Sequence, residues 1–447
     1  MMSDYQPKHS GAEHRPHVAV IGGGISGMGA ALRLSDAARV TMYERSPLLG
    51  GHADTQAVVG DAGVVDIDTG FIVYNERTYP HLTELFARLD VATKPAPMTF
   101  SVCCDECGLQ FAGGSVLQLL SSLVRHRSAA PLLAGIVRFR RAASHALDAG
   151  ELDPDITLAA WTELHGVSEL VRTHYVVPLT AAVWSTPPGQ ALDMPAATTL
   201  EFLDNHGLVR GTPPQWRTVV GGSRTYVGAV ARELRARGVL LASDRTVTRV
   251  ERTSNGCRVH DTSGTALEFD HVVFATHPDT TLELLAGPTM LERELLAAFE
   301  YTPNEVVLHE DPRVLPRRRV HWAAWNYRLA TCSADSGPTR LTYQMDILQS
   351  LGGSVPYCTT VNALDDEIEP ARIHARLAYA HPRFDADALR AQRRMGELAS
   401  AGARTHTWHC GAWQGHGFHE DGLRSGYAAA DALIASNADA RAVPDAR

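Results

Sequence analysis

Lysine is almost missing from this 447-residue chain: of its 41 basic residues only Lys8 and Lys94 are lysine, and the rest are arginine. Basic charge is in deficit as well, with 41 Lys+Arg against 50 Asp+Glu and a formal net charge of −9. A chain without a broad positive field is not expected to bind a nucleic-acid backbone. Long apolar runs are also missing. No stretch approaches the roughly 18 consecutive apolar residues that a bilayer-crossing helix needs. The segment Met1 to Pro16 has neither the apolar centre of a secretory signal nor paired arginines. Cysteine is sparse and odd in number, seven between Cys103 and Cys410, unlike the dense even sets that staple small secreted domains, so a reducing cytoplasm is expected. No repeat of solenoid period occurs. What remains is 45% hydrophobic and 20% charged, over a length that suits two or three domains at about 150 residues each, enough for an enclosed site.

The first pattern is a strand, His17-Val18-Ala19-Val20-Ile21, running into Gly22-Gly23-Gly24. A helical stretch, Ile25 to Leu34, and a second strand, Arg39 to Glu44, complete a βαβ unit. Helical patterns dominate from Tyr79 to Gly150 and from Leu158 to Asn205, interrupted by a strand pair around the turn Asp105-Glu106-Cys107-Gly108. A glycine-bearing strand-to-helix pattern returns at Thr218 to Gly222. Short strands at Glu305 to His309, His321 to Tyr327, Arg340 to Met345 and Tyr357 to Asn362 suggest an antiparallel sheet. An Ala-rich helix is expected over Leu423 to Ser436.

Gly22, Gly24 and Gly27 form GxGxxG between a strand and a helix, and Glu44 ends the next strand seventeen residues after Gly27. In that context the first glycine permits the turn, the second lets backbone approach a pyrophosphate, and the third allows close helix packing. The helix N-terminus at Ile25 and Ser26 presents N–H groups and positive dipole, and Glu44 can accept from a ribose.

The residues that follow, Arg45-Ser46-Pro47-Leu48-Leu49-Gly50-Gly51-His52 and then Asp68-Thr69-Gly70, resemble the flavin-dependent amine oxidase superfamily, which includes monoamine oxidases, protoporphyrinogen oxidase and phytoene desaturases. The likeness continues through Val219-Val220-Gly221-Gly222, Thr246 to Val250, Asp270 to Thr276 and Gly417 to Gly426. It is strongest to a bacterial branch that accompanies fatty-acyl modification. The resemblance implies an α/β fold, a Rossmann-like FAD-binding domain with an interleaved α+β substrate domain containing an antiparallel sheet. The expected FAD domain is discontinuous, 16–78, 215–277 and 403–436, with the substrate domain at 79–214 and 278–402 and flexible ends at 1–15 and 437–447. FAD is expected to touch Gly22, Gly24, Ile25, Ser26, Gly27, Glu44, Arg45, Gly50, Gly51, His52, Thr69, Gly70, Val247, Gly411, Gly422 and Leu423.

Three departures from the superfamily stand out. His52 replaces the usual arginine after Gly-Gly, and Gly411-Ala412-Trp413 replaces the usual acidic step near the end. The lysine that commonly sits beside the flavin, with a water linked to reoxidation by oxygen, has no counterpart, because neither Lys8 nor Lys94 falls in its segment. The catalytic candidates are Phe418, placed where monoamine oxidases set one tyrosine of an aromatic cage, with His416 and His419, whose side-chain type suits proton transfer near neutral pH. The expected activity is hydride removal from an apolar, fatty-acyl-like substrate, with the electron acceptor open. The rival readings are an amine oxidase and, from another class, a lipid-binding escort of the same fold. No metal is expected: the paired histidines at 406/409 and 416/419 lie among glycines and tryptophans, and Cys104 and Cys107 make one CxxC half-site, too few ligands for structural zinc. Apolar clusters rimmed by arginines across 116–141 suggest a peripheral contact with the inner membrane surface.

Overall fold

The computed structural model describes residues 15–60, 63–113, 115–150, 152–210, 213–333, 337–352 and 355–442. The first strand, β1 (His17–Ile21), lies in a five-stranded, all-parallel sheet. It is flanked by β2 (Arg39–Tyr43), with the strand Leu240–Ala242 beyond, and on its other side by His271–Phe274 and Thr407–His409. Val18, Ala19 and Val20 are fully buried, as expected of a central strand covered on both faces. The helix α1 (Ile25–Leu34) packs along the C-terminal helix, His419–Ala442. The two approach closely because a Cβ on Gly426 would stand 2.1 Å from the Ser26 carbonyl oxygen.

The C-terminal helix begins four residues earlier than the sequence pattern suggests and runs on to Ala442, so residues 437–442 are helical rather than a loose tail. Residues 1–14 and 443–447 lie outside the described residues.

The second large sheet has seven strands, ordered Ile373–Pro382, Tyr301–His309, Cys358–Val361, Leu341–Gln344, Trp325–Leu329, Phe100–Cys104 and Gln110–Ala112. All its pairs are antiparallel except Trp325–Leu329 with Phe100–Cys104, which run parallel. The expected sheet is therefore present but larger, because the early hairpin joins it. His321 is not on a strand; it ends a short 3-10 turn, and the strand starts at Trp325. Helices from 116 to 205 form a lobe against this sheet around Leu132, Phe139, Trp161, Leu200 and Phe202. Within that lobe Arg172–Val176 forms a π-helical turn.

Candidate functional site

The phosphate-type turn is built by steric necessity. A Cβ on Gly22, whose φ is +108°, would lie 2.7 Å from the Ala275 carbonyl oxygen, and one on Gly27 would lie 1.9 Å from the Gly22 carbonyl oxygen. These two glycines let α1 sit directly on the strand ends. Gly24 is different, since a Cβ there would meet no atom within 4 Å. Gly24 caps α1 without a side-chain hydrogen bond, and the first turn carries no acidic residue. The open approach to Gly24 and the uncapped N–H groups at Ile25, Ser26 and Gly27 make a cradle that fits a pyrophosphate.

Glu44 closes the other side. Its carboxylate accepts the Gly23 N–H at 2.7 Å and the Ser46 N–H at 2.8 Å. A carboxylate has about four lone-pair positions, so two remain for ribose hydroxyls. Arg45 is exposed at this rim. Val247 is buried at the start of Val247–Thr253, in one cluster with Ile21 and Tyr43. It is tied to the same corner because Arg245 donates its backbone N–H to the Glu44 carbonyl.

The Gly50-Gly51 step folds back onto the turn, and a Cβ on Gly51 would lie 3.2 Å from the Gly24 Cα. His52 then projects between the two sheets, within 5.2 Å of the Tyr379 ring, 5.7 Å of His381 and 6.2 Å of His277. Burial holds all three histidines low, His277 to about 4 and His381 to about 3, so this wall is polar but uncharged near neutral pH. The His52 Nε2 is buried without a protein partner, an orphan polar atom of the kind a bound ligand satisfies.

Gly70 is required where it stands, because a Cβ would fall 2.1 Å from the His52 carbonyl oxygen. The Thr69 hydroxyl shares a 2.8 Å hydrogen bond with the Tyr379 hydroxyl, and Tyr379 donates to Asp54. Asp68 accepts from the Thr55 hydroxyl, from the Ser223 N–H and hydroxyl, and from the Gln349 amide. Burial nevertheless raises it to about 6.

The closing loop meets this site from the C-terminal side. Gly411 donates its N–H to the Ser425 hydroxyl. Gly422 crosses α1 at its first turn, where a Cβ would crowd Ile25 and Ser26 at 2.8 and 2.9 Å. The N-termini of α1 and the C-terminal helix therefore converge, and their positive ends face one region. The Leu423 side chain is fully buried against Gly29, so only its backbone remains for a cofactor.

Phe418 bridges the nucleotide core and the helical-lobe core, stacked on Phe202 at 4.8 Å and 19°. His416 offers its carbonyl to the Trp184 indole N–H and its backbone N–H to Asp421, with its ring against Phe202. His419 does not suit the proton-transfer role expected of it. Its ring is stacked on Phe71 at 3.8 Å, Nε2 shares a 2.6 Å hydrogen bond with the Tyr226 hydroxyl, and burial pushes it down to about 3. It packs as a neutral core residue at physiological pH.

The fold thus brings the two glycine motifs, Glu44, His52, the 68–70 segment and the C-terminal helix start to one crevice at the carboxyl ends of the parallel strands. Sequence reasoning missed Asp54, Asp68, His277, Tyr379 and His381. Asp68 lies inside the quoted Asp-Thr-Gly and His277 directly follows the strand at 271–274, which were usable signals; Tyr379 and His381 carry none.

The sequence profile described as "Flavin containing amine oxidoreductase" matches residues 25–434. The chain belongs to that family. This flavin amine oxidoreductase is a FAD-dependent oxidoreductase, and the cradle just described fits its cofactor. It is 42% identical over 77 residues to a carotenoid phi-ring synthase of Streptomyces griseus, covering 17% of this chain and 15% of that protein. It is 38% identical over 85 residues to the FAD-dependent oxidoreductase oblC of Cochliobolus heterostrophus, 19% of this chain and 16% of that one. The matches to these curated relatives thus span well under a quarter of their length. Among solved structures, a CLA-producing fatty acid isomerase from P. acnes superposes with a TM-score of 0.64 at 13% identity, over 92% of this chain and 97% of that one. Putrescine oxidase bound to putrescine gives 0.64 at 14%, covering 94% and 99%. Cyclohexylamine oxidase from Brevibacterium oxydans gives 0.61 at 17%, covering 95% and 100%. At such identities these likenesses establish the amine-oxidase-type fold. No described helix is long and apolar enough to cross a membrane.

Proposed function

We propose that this flavoprotein takes hydride from a C–H bond of an apolar, acyl-type substrate rather than from an amine. The observation that carries this is the aromatic wall around Phe418, which contains Phe202, Trp184 and His206 within one packed cluster. Trp325 and Tyr343 join the same cluster from the large sheet, 5.1 Å apart and edge-to-face. Trp322 packs in a different cluster, beside Val314 and Leu315.

Charge around this wall is low. His206 is held at about 4 by burial. Two acids just after Phe418 already carry partners: Glu420 accepts the His81 and Leu82 N–H groups and pairs with the His81 ring, and Asp421 accepts the His416 and Phe418 N–H groups and pairs with Arg424. Burying four methylenes against such a wall contributes roughly 3 kcal/mol without any polar contact.

Bound flavin supplies the two-electron acceptor; the residues of this chain bind, orient and dry the substrate. In this reading Phe418 and Phe202 face the substrate on one side, and the neutral His52, His277 and His381 cluster lies at the nucleotide side. We place the route to solvent beside the helix Val116–Arg125, where Leu117, Leu120 and Val124 form an exposed stripe and Arg127, Arg138 and Arg141 are exposed nearby. In this reading the stripe touches a lipid surface and the arginines meet acyl head groups. The test is a titration of the purified protein with fatty-acyl ligands and with small amines, read by the shift of the bound-flavin absorption bands. Acyl chains should perturb the bands with affinity that rises with chain length. A response to amines alone overturns the proposal in favour of amine oxidation.

A further inference from the structure

Outside the flavin crevice, four side chains from three separate parts of the chain point at one another. Cys104 and Cys107 come from the hairpin turn after Phe100–Cys104, Cys332 follows Trp325–Leu329, and His174 stands on the π-helical turn Arg172–Val176. Their sulfur and nitrogen atoms all lie within 4.8 Å of one another. The Cys104 and Cys332 sulfurs are 3.6 Å apart, and the Cys107 sulfur is 3.7 Å from His174 Nε2. In a tetrahedral zinc site with Zn–S near 2.3 Å and Zn–N near 2.05 Å, the ligand–ligand spacings are about 3.8 Å between sulfurs and about 3.5 Å from sulfur to nitrogen. The Cys104–Cys332 and Cys107–His174 spacings are close to these values.

We propose that Cys104, Cys107, His174 and Cys332 bind one zinc ion as a closed, structural Cys3His site. The ligand count made from sequence stopped at one CxxC; the parallel pairing of Trp325–Leu329 with Phe100–Cys104 supplies the third sulfur. That pairing sets Leu329 opposite Cys104, so the chain beyond it delivers Cys332 three residues later to the hairpin end.

The surroundings are arranged for metal ligation rather than for accidental thiol contact. The His174 Nδ1 lies 3.3 Å from the Leu170 carbonyl, which fixes the proton there and leaves Nε2 with a lone pair facing the sulfurs. The CxxC turn closes through the Gly108 N–H donating to the Cys104 carbonyl, with Gly108 at φ +74°, and the Cys107 N–H points at the Cys104 sulfur. The two acids inside the CxxC take other partners: Asp105 pairs with Arg328, and Glu106 accepts the Cys332 N–H at 2.7 Å. Single π-turns within α-helices are also frequent at functional sites.

Binding displaces one proton from each of three thiols, so Zn2+ with three thiolates and a neutral imidazole carries a net charge of −1. Nothing is oxidised, and the ligand chemistry, soft sulfur with one imidazole in tetrahedral array, selects zinc over magnesium or calcium. The ion clips the helical lobe, through His174, to the edge of the seven-stranded sheet. A Cys104–Cys332 disulfide would explain one pair of groups and leave the Cys107–His174 contact without a purpose.

The experiment is metal analysis of the purified, flavin-loaded protein, combined with mercurial titration of its thiols in the presence of a chromogenic zinc chelator. The site predicts one zinc per chain, released in step with thiol modification. Growth in cobalt should give the strong visible absorption of tetrahedral thiolate-bound cobalt, to the red of the flavin bands. Cys332→Ser and His174→Ala should lose the metal and melt at lower temperature with flavin content per folded chain unchanged, whereas Cys103→Ser should keep the metal. If those variants do not fold, the wild-type zinc release still decides the matter. Protein without zinc whose Cys104 and Cys332 are joined as a disulfide, or whose three cysteine thiols react with no metal released, overturns the site.

Discussion

Gly50 donates its N–H to the Gly23 carbonyl at 2.9 Å, and Gly50 and Gly24 form a parallel bridge across twenty-six residues of chain. The loop after β2 is thereby locked to the phosphate-type turn, so the two glycine motifs act as one cofactor cradle rather than two. The consequences separate folding from flavin binding at single residues.

Gly24→Ala should fold normally, because its Cβ enters free space and the Gly24 backbone, at φ −74°, is open to alanine. It should nevertheless lose flavin, by at least about tenfold in affinity, corresponding to roughly 1.4 kcal/mol. Gly27→Ala should instead fail to fold stably, since its Cβ would overlap the Gly22 carbonyl. Flavin absorbance per chain, together with the melting temperature of the apoprotein, distinguishes the two. Equal behaviour of both variants contradicts the assignment.

Glu44→Gln keeps one acceptor oxygen but loses the charge and half of the lone-pair capacity that serves Gly23, Ser46 and a ribose. A loss of about 1.5–3 kcal/mol in FAD affinity is expected, measured by isothermal titration of apoprotein. Unchanged affinity removes Glu44 from the site.

Acid should destabilise the protein already between pH 7 and pH 5. His381 and His419 are held near 3 and His206 and His277 near 4, all by burial. Unfolded, each takes up a proton near its ordinary value of about 6.5. Their stability contribution is fully present above that value and is lost as pH falls, at about 2 kcal/mol per group by pH 5. Asp68 and Asp346, both raised to about 6 by burial, act in the opposite direction between about 4 and 6 but are two groups against the four histidines. Melting temperature should fall between pH 7 and pH 5; a flat profile over that window is the contrary result.

The sequence made the cradle legible because its glycines, Glu44 and the strand at 271–274 are close in the chain and constrained by backbone geometry. The stacked Phe71–His419 pair and the His52–Tyr379–His381 grouping were not legible. They arise from segments more than 300 residues apart, and nothing local to His419 signals that Tyr226 will occupy its Nε2. The zinc-type cluster escaped for the same reason: its ligands are spread from Cys104 to Cys332, and only the parallel strand pair brings them together.

Reduced flavin should react slowly with oxygen. Of the two lysines, Lys94 sits on Thr93–Pro95, paired with Trp216–Val219, and Lys8 lies outside the described residues. Rapid mixing of photoreduced protein with air-saturated buffer measures the rate, and reoxidation as fast as in efficient amine oxidases is the outcome this excludes.

Phe418→Ala should leave FAD content near normal while weakening substrate binding by about 1.5–3 kcal/mol, since the substitution removes an aromatic ring from the wall shared with Phe202. The comparison to make is flavin stoichiometry against acyl-ligand affinity in the same preparation.

The account's central claim is hydride removal from an apolar acyl substrate at this neutral, aromatic wall, and anaerobic bleaching of the bound flavin tests it most directly. Saturated, unsaturated, branched and cyclopropane acyl lipids are mixed in turn with the oxidised protein, beside putrescine and cyclohexylamine, and the visible flavin bands are followed. The account predicts loss of the bands with at least one acyl lipid, faster in wild type than in Phe418→Ala, and no loss with either amine. Bleaching by the amines with no response to any lipid would contradict it.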